Sequence, residues 1–173
     1  MTTGDLLVRT TAWLAFAAYI GGTVTGLRHP CGRTFRLVWL TGAVLLVVHL
    51  LAAFHFKHGW SHVAAYSDTA RQTREVTGLD WGGGVYLNYL LVIVWLADAA
   101  SRLGTIPVVM PPALHRALTT FYAFMWFNAA VVFVRSPMRW IGALAFVLLA
   151  VFAWRQLRSA TGAPVSDPAR RKT

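Results

Sequence analysis

Five stretches of this chain are apolar over about the twenty residues that an α-helix, rising about 1.5 Å per residue, needs to cross the hydrocarbon core of a bilayer. They cover residues 6–27, 37–56, 83–100, 117–134 and 140–154, the last three being the shortest. Such runs account for a composition that is 57% apolar and 13% charged over 173 residues, against roughly 25% charged in soluble domains. The expected fold is therefore all-α and integral to the membrane: a transmembrane bundle of five spans. A soluble catalytic domain, a disordered chain and a coiled coil are excluded. With Cys31 as the one cysteine, so are an internal disulfide framework and a thiol-held metal cluster. Gly21 and Gly22 interrupt the first run and no small-residue cleavage site follows, so it reads as a span and not as a cleaved leader.

Residues 1–158 form one transmembrane domain on this reading, and 159–173 a disordered basic cytoplasmic tail. The loop after the second span has few helix breakers between Ser61 and Thr77, with Arg71 and Glu75 spaced for an i,i+4 pair and Gly78 placed to end a helix. It is expected to form a short external amphipathic helix. Gly82, Gly83 and Gly84 read as a sharp turn into the third span, since no Lys-Ser or Lys-Thr follows to make a phosphate loop.

Lys and Arg number 16 against 6 Asp and Glu, and they sit at the ends of the apolar runs, which points to lipid headgroups and not to nucleic acid. The N-terminus, long loop and last turn carry Arg9, Lys57, Arg71, Arg74, Arg135 and Arg139. The other ten, from Arg28, Arg33 and Arg36 through Arg102 and Arg116 to Arg155, Arg158, Arg170, Arg171 and Lys172, face the opposite side. The positive-inside rule then places the N-terminus outside and the C-terminus in the cytoplasm, in a bacterial inner membrane. Trp13, Trp60, Trp81 and Trp140 fall at outer ends and Trp39 and Trp154 at inner ends, as two aromatic belts would have them, while Trp95 and Trp126 lie deep.

Four of the six histidines lie between His49 and His62. If the second helix continued past Gly59, His55, His58 and His62 would share one face, and imidazoles at that spacing can converge on zinc, copper or iron. Tyr66, Asp68 or Asp80 would be the fourth ligand. The bland alternative is a set of interfacial histidines. Within the spans, His49, Asn88 and Asn128 lie roughly 8–10 Å from the same predicted end, counting 1.5 Å per residue, so they are candidates for one buried polar pocket near Tyr86 or Tyr89 and Tyr122. Hydrogen bonds that merely join helices are the competing account. Asp98 and Arg102 have the spacing of an intrahelical ion pair, and Gly22 and Gly26 form a GxxxG pair.

A haem between two histidines is disfavoured because His115 lies at the far face from His49, and no nucleophile elbow supports a serine hydrolase. Three functional classes follow, none requiring an enzyme. The leading expectation is a docking or assembly subunit held by the lipid bilayer and by other membrane-protein subunits. The second is a metal-binding or redox-linked protein using the three histidines. The third is a small transporter or proton-conducting protein using His49, Asn88 and Asn128.

Overall fold

A computed structural model describes residues 2–30, 32–104, 110–134 and 137–161, without the side chains of Leu157, Ala160 and Thr161. Cys31, Pro107, Arg135 and the basic tail with Arg170, Arg171 and Lys172 lie outside the described residues. All the described secondary structure is helical: α1 Thr3–Arg28, α2 Arg33–Phe56, α3 His62–Thr77, α4 Gly84–Arg102, α5 Pro112–Phe127, a π-helical turn Asn128–Val132, and α6 Met138–Thr161. Three of these, α2, α4 and α6 over Met138–Gln156, are long and apolar enough to cross a membrane. Helix α6 continues three residues into the segment expected to begin a disordered tail.

Local chemistry sets the ends. Thr2 and Asp5 form a reciprocal capping box at the start of α1, which satisfies two of the orphan amides of its first turn. Ser61 caps α3 by accepting from the Ala64 amide at 3.2 Å, and Gly78, with φ of 81°, closes it in the left-handed conformation that a Cβ disfavours. Pro111 and Pro112 open α5, where the missing amide costs nothing.

Helices α1 and α2 form the closest pair, joined by the short segment after Arg28, and their interlock is one of glycines against rings. A Cβ on Gly22 would lie 2.6 Å from the Trp39 ring, and one on Gly26 would lie 3.0 Å from Phe35. The GxxxG pair is thus occupied from within the chain. Gly42 in turn receives Trp95 of α4, at 2.6 Å from a hypothetical Cβ. The core that results is mostly aromatic: Trp39, Trp95 and Trp126 with Phe16, Tyr19 and Tyr122, and Trp95 is fully buried. Tyr19 stacks on Trp126 at 5.8 Å, and Trp95 meets Trp126 edge-on at 5.6 Å.

Trp39, expected in an aromatic belt, belongs instead to this core, because its indole N–H donates to Asp98 Oδ2 at 2.8 Å. Asp98 is itself buried and holds Arg102 at 3.0 Å, the i,i+4 pair read from the sequence. The Arg102 guanidinium lies over the Phe35 ring at 4.9 Å, so the pair is closed off by aromatic surface. Trp60, Trp81, Trp140 and Trp154 are exposed, as belt residues would be.

Candidate functional site

One end of the bundle gathers the start of α1, the end of α2, the start of α4, the end of the π-helical turn and the start of α6. Asp5 of α1 accepts a hydrogen bond from Lys57 at the end of α2, which fastens two of these ends together and holds the Asp5 carboxyl well below the usual carboxylate range. Helix α3 lies across this end. Arg71 is gripped by Asp68 and by Glu75 at 2.6 Å, and Arg74 by Asp80 at 3.0 Å. The turn below it fits closely: a Cβ on Gly82 would lie 2.5 Å from the Tyr66 carbonyl oxygen. Helix α3 is thus anchored to the start of α4.

Beneath α3 the helices separate around a chamber of about 1300 Å³. Its roof includes Asp68, Arg71 and Gln72, and its floor is the top of the aromatic core at Leu46, Leu91 and Trp126. Among the described residues the ring and hydrogen-bond contacts between α4 and α5, Trp95 with Tyr122 and Trp126 and the Tyr122 hydroxyl on the Val94 carbonyl, all involve residues beyond Leu91 along α4. On the α3 side of that level the chamber occupies the space between the two helices.

His49, Asn88 and Asn128 all line this chamber, from α2, α4 and the π-helical turn respectively. They share a cavity without bonding to one another. His49 Nδ1 lies 3.0 Å from the Val8 carbonyl oxygen and 3.4 Å from Thr11 Oγ1. A carbonyl can only accept, so Nδ1 carries the proton, and a neutral ring then keeps Nε2 as an acceptor. The Asn128 side-chain amide donates to the Phe124 carbonyl at 2.8 Å, leaving its own carbonyl oxygen. Asn88 is exposed to the chamber. The π-helical turn that carries Asn128 packs on α6 so closely that a Cβ on Gly142 would lie 2.3 Å from the Ala130 oxygen. Arg139 donates to the carbonyls of Val132 and Val134, satisfying backbone that the end of that turn leaves open. Turns of this kind recur where a helix wall serves a site.

The expected metal face does not form. Helix α2 ends at Phe56, and the chain reverses through Gly59 and Trp60, both with positive φ, before α3 begins at His62. Each histidine is engaged differently as a result. His55 Nδ1 accepts from the Trp60 indole at 3.3 Å, and His58 packs edge-on against Phe54 at 5.8 Å. Both ring nitrogens of His62 are used, Nδ1 by the Tyr89 hydroxyl at 3.0 Å and Nε2 by the Tyr86 hydroxyl at 3.2 Å. Of the suggested fourth ligands, Asp68 and Asp80 are held by Arg71 and Arg74. Among the described residues no group of three or more His, Cys, Asp or Glu could hold a metal ion.

The tyrosines also divide differently from expectation. Tyr86 and Tyr89 clasp His62, while Tyr122 belongs to the core. Sequence reasoning did not find this clasp, whose one signal was the three-residue spacing of Tyr86 and Tyr89 on a single helix face. Against protein-family models, curated proteins and solved structures, no match to this chain was found.

Proposed function

We propose that this chain is a small, non-enzymatic membrane protein that accepts a small molecule into the chamber beneath α3. The observation that carries the reading is the arrival of His49, Asn88 and Asn128, from three separate segments, on the wall of one cavity. A large, mainly apolar cavity with a few convergent polar groups is the usual form of a small-molecule site. Of the three classes drawn from the sequence, the transporter-like one, which relies on these same residues, gains most.

On this reading the bundle has five spans. Helix α1, at 26 residues, is about 39 Å long, and α5 with its π-helical turn supplies 21 consecutive residues from Pro112 to Val132. The ends predicted to lie outside collect at the α3 end, which supports α3 as the external helix and a chamber open to the outside of a bacterial inner membrane. In a Cys31→Ser background, Val63→Cys on α3 is expected to react with an impermeant maleimide on intact cells, and Thr34→Cys only after permeabilisation. The reverse pattern overturns the orientation.

The chamber is tested by native mass spectrometry of the protein released from lipid nanodiscs. Wild type should carry a bound small molecule that Ala129→Phe, placed on the chamber wall, excludes. Equal occupancy in both overturns the reading. Docking in a larger complex draws on the apolar face of α6, where Trp140, Ile141, Leu144, Leu148 and Trp154 are exposed. Lipid covers such a face equally well, so the chamber is the stronger support for the first reading.

A further inference from the structure

We infer that the chamber selects an uncharged, hydroxyl-bearing amphiphile over an anionic or a cationic one of the same chain length. The inference rests on the proposed function and names the class of molecule it would take. Its basis is what the chamber walls leave to a ligand once their internal bonds are made.

Among the described residues the cations on the chamber wall are Arg9, Lys57 and Arg71, and each already has an interaction within the protein. Lys57 is bound to Asp5, and Arg71 to Asp68 and Glu75. Asp68, the one acid among the described residues of the chamber wall, also accepts from Gln72 at 2.9 Å. A carboxylate or an ammonium entering the chamber would lose hydration and would have to compete with the existing interactions of Arg9, Lys57, Arg71 or Asp68 to recover it.

The neutral groups point to a donor-bearing head. With Nδ1 on the Val8 carbonyl, His49 offers Nε2 as an acceptor, and Asn128, with its amide donated to Phe124, offers its carbonyl oxygen. Asn88 keeps a complete amide, able to give and to accept, since among the described residues its side chain makes no hydrogen bond. Hydroxyls suit this set: one hydroxyl, which donates once and accepts up to twice, serves one of the two acceptors and the Asn88 amide, and a second serves the other acceptor. A carboxylate, an acceptor only, would face His49 and Asn128 acceptor to acceptor. An ammonium can donate to both but finds no carboxylate to balance its charge.

Depth fixes the amphiphilic shape. Asn88 is about 6 Å along α4 from Gly84, and His49 about 12 Å along α2 from Lys57, at 1.5 Å per residue. A head bonded there leaves the apolar body of the molecule along Leu91, Val92, Phe124 and Trp126, which line the same chamber. A hydroxyl on such a body occurs both in a long-chain alcohol and in a monoacylglycerol.

The test uses the full chain in dioleoylphosphatidylcholine nanodiscs and reads saturable quenching of tryptophan fluorescence by four brominated probes with the same undecyl chain: the alcohol, the monoacylglycerol, the carboxylate and the amine. At least one hydroxyl probe is expected to bind tenfold tighter than the carboxylate and the amine, and whichever hydroxyl probe binds tighter identifies the source. Asn88→Leu should weaken that probe at least fivefold without lowering the melting temperature, and Asn88→Gln should restore most of the affinity. A preference of less than tenfold over either charged probe overturns the inference and leaves the chamber reading standing. No saturable quenching by any of the four, with the same quenching in Ala129→Phe, overturns the proposed function itself.

Discussion

The two ends of this bundle are built from the same helices and behave as opposites. Away from α3, three indoles and two tyrosines fill the space between helices, with Trp39 and Trp95 seated against glycines and Asp98 bound to both Trp39 and Arg102. Toward α3, the same helices line about 1300 Å³ of space, into which His49, Asn88 and Asn128 face: His49 and Asn128 bond to the backbone carbonyls of Val8 and Phe124, and Asn88 bonds to none of the described residues. The contrast teaches that glycine against ring holds α1 to α2 at both ends, Gly4 on Phe56 and Gly22 on Trp39, while Gly42 on Trp95 holds α2 to α4 at the closed end, and the chamber lies on the α3 side of that second contact.

The largest effect should come from removing the ring at the centre of the closed end. Trp95→Ala is expected to destabilise the protein by about 3–5 kcal/mol, the range for deleting a fully buried aromatic. Reversible unfolding in mixed micelles measures it, and a loss below about 1 kcal/mol would mean that the closed end is not what holds the bundle.

Next is the polar contact within that end. Asp98→Leu leaves the Trp39 N–H without its acceptor and the mostly buried Arg102 without its partner, for an expected loss of about 2–4 kcal/mol. Asp98→Asn keeps an acceptor for Trp39 and should lose less. Equal losses from the two would show that the ion pair, and not the indole, accounts for the effect.

Smaller still is the coupling across the chamber. Since Asn128 bonds within its own helix and no bond joins it to Asn88, a double-mutant cycle of Asn88→Leu and Asn128→Leu should be additive within about 0.5 kcal/mol. Coupling above 1 kcal/mol would indicate that the chamber closes and the two amides meet, which would remove the contrast between the ends.

The smallest effect belongs to the surface pair that fastens α1 to α2. Asp5 has its carboxyl lowered by the Lys57 hydrogen bond, so the stability it contributes is present above the unfolded carboxylate range near pH 4 and is lost as pH falls further. In Lys57→Met the largest cause of the lowering is gone and only the Thr2 hydrogen bonds still lower the carboxyl, so the native and unfolded values lie closer together. The variant should therefore lose less stability than wild type between pH 4 and pH 2, as read from melting temperature against pH.

Much of this architecture could be read from the chain. Apolar run length located the helices, Ser61 and Gly78 marked the ends of α3, and three- and four-residue spacings gave the Arg71–Glu75 and Asp98–Arg102 pairs, because all of these are local consequences of helical geometry. Counting residues from a common predicted end gave His49, Asn88 and Asn128 similar depths, since such a count measures depth when every element is a helix. Rotation about each helix axis is not local, and neither is the point at which two helices part. Those depend on which ring finds which glycine across the bundle. For that reason only the tertiary structure decided that Trp39 faces Asp98 and not lipid. It also decided that His62 is clasped by Tyr86 and Tyr89 instead of joining His55 and His58, and that His49, Asn88 and Asn128 line a space instead of bonding to each other.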